Sequence, residues 1–440
     1  MRNVFKMAAG LLVGLSTVST SYATLELELT KGVDSAVPIA IMPLQIIGSQ
    51  PSMDLAQVIS NDLKNSGEFK IVDTSNVSSP PASVNDIHVA DWQQSKTDYV
   101  TVGTINHSGS MNQVNFSLLD IYKAAQAGHS NDAVLLSENF SARDNGLRTL
   151  GHRIADLIYE KITGTKGVFS TKIAYVLVQP VKGSFMQYSL MVADVDGQNA
   201  HALLTTNQPI LSPAWSFDGK KIAYVSLENR QAAIYISDVD SGHRTLLTEY
   251  AGINGAPAWS PDGSQLAIVL TRGAGTNIFT IGTSGFGSPH QLTQGFSIDT
   301  EPSFSPDGKS LLFTSDRGGS PQIYQLDINS GSIKRVTFVG DYNTTASFSL
   351  DGQHIVFLHR QNGQYNVAMQ DLSNSAVTIL THASSDQAPS LAPNGKMVIY
   401  ATQSGRRTRL NFVSTDGRIR LTFPENNGDA REPAWGPFAS

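Results

Sequence analysis

Residues able to do chemistry are plentiful in this 440-residue chain, but few stand at the spacings that chemistry requires. There is no cysteine, which excludes thiolate catalysis, redox work and Cys-type zinc sites. The ten histidines are scattered and form neither a His-x-His pair nor a His-Glu-x-x-His pattern. His354 falls where a strand would start and reads as packed or exposed rather than as a ligand. The nearest approach to a Gly-x-Ser-x-Gly nucleophile elbow is Gly282-Thr-Ser-Gly-Phe286, which fails at its last position. Arg317, Arg360, Arg406 and Arg407 could serve a glycosidase beside an acidic pair, although solvated loop arginines are the plainer reading. Asp299, Glu301 and Asp386 offer hard oxygen ligands that could hold a divalent cation. From these patterns no catalytic residue, no metal site and no cofactor is expected.

The elements that position such residues follow from a repeat. Pro213-Ala-Trp-Ser-Phe-Asp-Gly219 recurs as Pro257–Gly263, Pro302–Gly308, Ala346–Gly352 and Pro389–Gly395, and ends as Pro433-Ala-Trp-Gly-Pro437, with steps of 44, 45, 44, 43 and 44 residues. That period suits a propeller blade of four strands. Asp-Gly between apolar runs marks a hairpin, because glycine adopts positive φ without a Cβ clash. Second strands such as Ile222–Val225 and Leu311–Thr314 are apolar on both faces, as stacked sheets require. Most units close on an apolar-Thr pair: Leu247-Thr248, Leu292-Thr293, Val336-Thr337, Leu380-Thr381. Ahead of the first copy, Lys172–Val176, Ser189–Val192 and Leu203–Thr205 read as a blade lacking its innermost strand, which Pro433–Trp435 can supply. The expected fold is therefore an N-terminal α/β domain followed by an all-β six-bladed propeller, its ring closed by the C-terminal strand.

At the start, Arg2 and Lys6 precede an apolar run, Met7 to Val18, and Ser21-Tyr-Ala23 has the form of a cleavage site, so residues 1–23 read as a secretory signal peptide. Removing it leaves 29 basic against 37 acidic residues, a formal −8, which argues against nucleic acid or an anionic membrane surface as partner. Residues 24–165 lack the period and read as the α/β domain, and 166–440 as the propeller. Leu25-Glu-Leu-Glu-Leu29 alternates like a half-exposed strand of the first domain. Pro38–Met42 is a buried strand, Met53–Asn65 a helix stopped by Gly67, and Leu147 to Ile162 a closing helix.

Within the propeller the Asp-Gly turns hardly vary, whereas the residues entering each innermost strand vary freely. They must ring the channel mouth on the opposite face, and variable polar loops on a rigid ring make a binding surface. The candidates are Asn254, Ala256, Asp299, Thr300, Glu301, Thr344, Asp386, Gln387 and Glu432, with the Ser315-Asp-Arg317 loop opening onto the same face. A peptidase with a propeller gate would need a hydrolase domain for which no residues remain. A sialidase-like box would separate Asp from Gly, which here are adjacent. A periplasmic propeller hydrolase is thus the weaker alternative.

Lys31-Gly-Val-Asp34, Pro38-Ile-Ala-Ile-Met-Pro43, Asn65-Ser-Gly67, Ile162-Thr-Gly164, Lys172-Ile-Ala-Tyr175 and the Pro-Ala-Trp-Ser-Pro-Asp-Gly repeats together resemble the TolB family of the Tol-Pal system in Gram-negative bacteria. The resemblance covers essentially all of the chain beyond the leader, and departs from the family at Leu44 and Ala346. It implies a monomeric periplasmic adaptor rather than an enzyme, neither bound to nucleic acid nor embedded in a membrane. Its implied partners are the lipoprotein Pal at the propeller mouth, TolA at the N-terminal segment (Leu25, Glu26, Leu27, Glu28, Leu29, Lys31), and other outer-membrane proteins. The implied role is outer-membrane integrity and constriction at cell division.

Overall fold

The computed structural model describes residues 25–29, 36–75, 79–127, 130–181, 185–273, 275–285, 287–424 and 427–438. The expected signal peptide and Lys31 lie outside them. The first strand, β1 (Glu26–Leu29), is followed by β2 (Val37–Ile41), β3 (Gln45–Gly48), β4 (Phe69–Ile71), β5 (Tyr99–Ser108), β6 (Met111–Asp120) and β7 (Val134–Arg143). The helices are α1 (Leu55–Ser66), α2 (Val89–Gln94), α3 (Ile121–Ala127) and α4 (Leu147–Thr163).

One mixed sheet runs β4-β2-β5-β6-β7, with β3 continuing the line of β2 along β5. Its continuous apolar strand is explained by cover on both faces. Ile39 and Ile41 pack with Leu55, Ile59, Leu63, Ile154 and Ile158 of α1 and α4. Ala40 and Met42 pack with Ile121, Ala124 and Trp92 of α3 and α2. Helix α1 starts where Asp54 accepts from the Ala56 amide at 2.9 Å and stops at Gly67, whose φ of 72° is left-handed.

The remaining strands form the six-bladed propeller. Blade one holds Lys172–Val181, Phe185–Asp194 and His201–Thr206, and its innermost strand is Asp429–Trp435, antiparallel to the first of these. The innermost strands of blades two to six are Ile210–Trp215, Asn254–Trp259, Asp299–Phe304, Tyr342–Phe348 and Asp386–Leu391. The tail therefore closes the ring.

Side chains of the repeat stitch blade to blade. Trp259 Nε1 donates to the Ala214 carbonyl at 3.0 Å and Trp215 Nε1 to the Ala434 carbonyl at 3.1 Å, each reaching the residue before the tryptophan of the preceding blade. At the Asp-Gly turns that follow the innermost strands of blades two to five the aspartate holds the serine two residues earlier, as Asp262 does Ser260 at 2.6 Å. The closing threonines act inside their own blades: Thr293, Thr337 and Thr381 each accept through Oγ1 from an amide in the first half of the third strand (Ile278, Ile323 and Val367) at 2.9 to 3.0 Å.

One expectation is corrected. Strand β1 does not belong to the α/β sheet; it adds a fifth strand to the outer edge of blade six, antiparallel to Ile419–Thr422. The alternating pattern identified a strand but carried no address, since any sheet edge that still offers unpaired amides and carbonyls can take it.

The α/β domain sits on the Asp-Gly side of blades six and one. The Lys166 carbonyl accepts from Asn394 Nδ2 at 2.9 Å, Lys166 Nζ lies 4.9 Å over the Phe438 ring, and Glu68 faces Arg418 at 3.6 Å. Asn394 and Arg418 flank turns on that side, so the opposite face is left clear of the domain.

Candidate functional site: the rim of the channel

Each innermost strand enters the ring through the same distortion. At its third or fourth residue the chain takes a left-handed conformation, at Ser212, Ala256, Glu301, Thr345, Ala388 and Glu432, with φ between 43° and 54°. The register to the second strand slips at the same place in all six. A left-handed non-glycine residue costs roughly 1–2 kcal/mol, and six repeats of it mark a bulge that the architecture enforces. At Glu301 and Glu432 the bulge turns the side chain toward the next blade around the mouth. Glu301 uses that reach: it accepts from the Thr345 amide at 2.8 Å, the Thr345 hydroxyl at 2.9 Å and the Thr314 hydroxyl at 2.7 Å. Glu432 accepts from the Ser212 amide of blade two. Burial pushes the Glu432 carboxyl up, partly offset by that amide and by Arg431.

Two residues before each bulge the side chain turns inward, and here the nine expected rim residues divide. Asn254, Asp299 and Asp386 are buried, and so is Thr344 beside its own bulge. Asn254 exchanges hydrogen bonds with the backbone of Tyr250. Asp299 accepts from Ser315 Oγ at 2.6 Å and through both oxygens from Arg317 at 2.9 Å, and that guanidinium lies 5.1 Å from the centre of the Phe313 ring. The Arg317 loop thus braces the rim from below. Asp386 accepts from Thr381, and burial pushes its carboxyl up, opposed by the Thr381 and Thr402 hydroxyls and Arg420. These four shape the mouth, while Ala256, Thr300, Glu301, Gln387 and Glu432 stay at least partly exposed there.

Sequence reasoning missed the apolar part of this face. Ile253, Phe296, Ile298, Phe338 and Val339 are all exposed, Phe296 by 87% and Phe338 by 68%. They lie on the connections entering blades three, four and five, so they form a crescent over half the rim. Across from it the connections entering blades two and six are polar: Asn207 and Gln208, then His382 to Ser385. Phe338 is held by the Arg335 guanidinium 5.1 Å from its ring centre. Isolated exposed apolar residues mean little, but a contiguous set rimmed by polar residues marks a contact surface. The available signal was an aromatic one or three residues after a closing threonine (Phe338 after Thr337, Phe296 after Thr293) in what otherwise reads as a loop.

The second candidate, the N-terminal segment, is well separated from the rim connections. Leu25 is partly buried against the core that blades six and one share, and β1 takes the outer edge of blade six. The expected contact residues Glu26, Leu27, Glu28 and Leu29 are therefore strand residues paired within the chain. Among the described residues no helix is long and apolar enough to cross a membrane.

Comparison with known proteins bears on the family. A family model for the TolB amino-terminal domain matches residues 25–127, and one for the TolB beta propeller domain matches residues 159–439. The Tol-Pal system protein TolB of Coxiella burnetii is 49% identical over 429 residues, covering 96% of this chain and 95% of that protein. Its namesake in Xanthomonas campestris pv. campestris is 42% identical over 419 residues, covering 94% and 93%. The crystal structure of TolB from Acinetobacter baumannii superimposes with a TM-score of 0.83 at 40% identity, over 94% of this chain and 100% of that one.

Proposed function

This chain belongs to the TolB family of Tol-Pal system proteins, and from that membership we propose that it is a non-enzymatic periplasmic adaptor. It binds the lipoprotein Pal on the propeller rim and TolA through the N-terminal segment, so supporting outer-membrane integrity and constriction at cell division. The observation that carries the reading is the apolar crescent of Ile253, Phe296, Ile298, Phe338 and Val339 beside a bulged, carboxylate-bearing mouth, on the face the α/β domain leaves open. Exposed phenylalanines beside polar groups are the kind of anchor that dominates protein contacts. Thr300, Glu301, Gln387 and Glu432 supply polar contacts around them, and Asn254, Asp299, Thr344 and Asp386 hold the loops in shape. Strand β1 supports the second half of the reading, because a segment that completes one sheet edge can complete another.

The test is calorimetry of the exported protein with the soluble domain of Pal. The double substitution Phe296→Ser, Phe338→Ser should weaken binding about tenfold or more while leaving the melting temperature unchanged, since both rings are exposed. Unaltered affinity would place the Pal contact elsewhere.

A further inference from the structure

At the junction of the two domains a buried imidazole stands between carboxylates that belong to different domains. His152 of α4 is 2% exposed. Its Nδ1 lies 2.7 Å from Asp62 Oδ2 on α1, and its Nε2 points at Asp196 Oδ2, 3.7 Å away in the turn of blade one that follows Phe185–Asp194. Nε2 has no hydrogen-bond partner. The other charged groups around it are accounted for. Arg148, one turn earlier on α4, donates to Asp196 and lies 4.0 Å from Asp194. Lys172 holds Asp194 at 3.0 Å. Asp156, one turn later, accepts from the amides of Phe169 and Ser170.

A neutral imidazole has one N–H. If that proton is on Nδ1 it serves Asp62 and the Nε2 lone pair meets the Asp196 carboxylate; if it is on Nε2, the Nδ1 lone pair meets Asp62. Only the imidazolium presents an N–H to both carboxylates. Asp62, His152 and Asp196 could by their spacing surround a metal ion. Arg148 already occupies Asp196 Oδ2, so the chain's own cation fills that role and the cluster is an ionic junction.

We propose that His152 is a proton-operated latch between the domains. The doubly protonated ring ties helices α1 and α4 to the first blade, and loss of the proton leaves Arg148 as the remaining bridge to Asp196. The direction of titration agrees. Burial pulls His152 down, but the Asp62, Asp196 and Asp194 carboxylates outweigh it and hold the ring above its ordinary value. Burial also pushes Asp62 up to about 6. A group whose folded value is raised stabilises the docked state below its unfolded value and loses that contribution as pH rises through the folded one. The junction should be tightest in acid and loosen above neutrality.

Because the chain has no cysteine, Glu138→Cys on β7 and Asp240→Cys on a turn of blade two can carry spin labels. Pulsed dipolar spectroscopy from about pH 5.5 to about pH 8.5, across the histidine range, should show the interdomain distance distribution broadening as pH rises. His152→Gln on the same labels should remove that dependence. If His152→Gln does not fold, Asp196→Asn decides, and it too should flatten the response. A distribution in the otherwise unaltered protein that is insensitive to pH, or a full response kept by the folded variant, overturns the latch.

Discussion

If the tail closes the ring, Trp435→Ala should be among the costliest single substitutions in the propeller. Trp435 is 8% exposed, stands edge-on to Phe412 with ring centres 5.4 Å apart, and donates from Nε1 to Thr171 Oγ1 at 2.9 Å. Its backbone amide donates to Ser390 Oγ of blade six at 2.9 Å, so the residue bridges the first and last blades. Truncating a buried tryptophan costs about 3–5 kcal/mol. The aromatic contact lifts the expectation toward the upper half of that range, by roughly 0.5–1.5 kcal/mol. Thr171 adds little, because its hydroxyl still donates to the Val168 carbonyl at 2.6 Å. A loss of about 4 kcal/mol is expected.

The internal control is Trp215→Ala. Trp215 occupies the same place in blade two but is less deeply buried, so a smaller loss is expected, about 3 kcal/mol. Urea unfolding followed by far-ultraviolet circular dichroism measures both without relying on the removed fluorophore. A terminal strand that merely lay against the ring would behave as a frayed end, where substitutions change stability by about 0.5 kcal/mol or less. A Trp435→Ala loss below about 1 kcal/mol, or one no larger than that of Trp215→Ala, would refute the closure argument.

Arg317→Ala should cost about 3 kcal/mol in the same assay, because it leaves the fully buried Asp299 carboxylate with the Ser315 hydroxyl as its main compensation; a loss under about 1 kcal/mol would show that water replaces the guanidinium. Gly67→Ala should lower stability by roughly 2 kcal/mol from its left-handed φ and from a Cβ placed 1.8 Å from Ile419 Cδ1. In a double-mutant cycle with Ile419→Ala, which alone should cost about 2–5 kcal/mol, the two losses should be less than additive, and strictly additive losses would mean that α1 does not rest on blade six. Saturating Pal should shift the affinity for TolA by about 5–150-fold, a coupling of about 1–3 kcal/mol, if rim occupancy changes the docking of β1. Titrations of TolA with and without Pal that superimpose would remove that coupling.

The propeller was legible because its information is periodic: one turn, one aromatic and one threonine, repeated at a near-constant step, gave blade number and closure together. The α/β domain was legible where burial is two-sided, as at Ile39 to Met42, and less so at short pieces such as β3 and α2, whose few residues give no period. What stayed hidden was conformational. The six left-handed bulges fall on Ser, Ala, Glu, Thr, Ala and Glu, residue types with no common preference, because the ring geometry and not the local sequence imposes them. The same geometry turned Asn254, Asp299 and Asp386 inward, although their polarity suggested an open mouth. Phe296 and Phe338 were overlooked for the opposite reason, since an aromatic in a loop is ordinarily assigned to a core.

The strand Asp429–Trp435 pairs with Lys172–Val181, more than half the chain away. During synthesis the first blade must therefore wait, its innermost place vacant, until nearly all of the chain has been made. Contacts this distant in sequence form slowly, and an unpaired strand flank invites foreign strands meanwhile. The interval before the tail arrives is thus when this protein most needs shelter, and a message truncated before Asp429 would leave a product with a permanently adhesive flank.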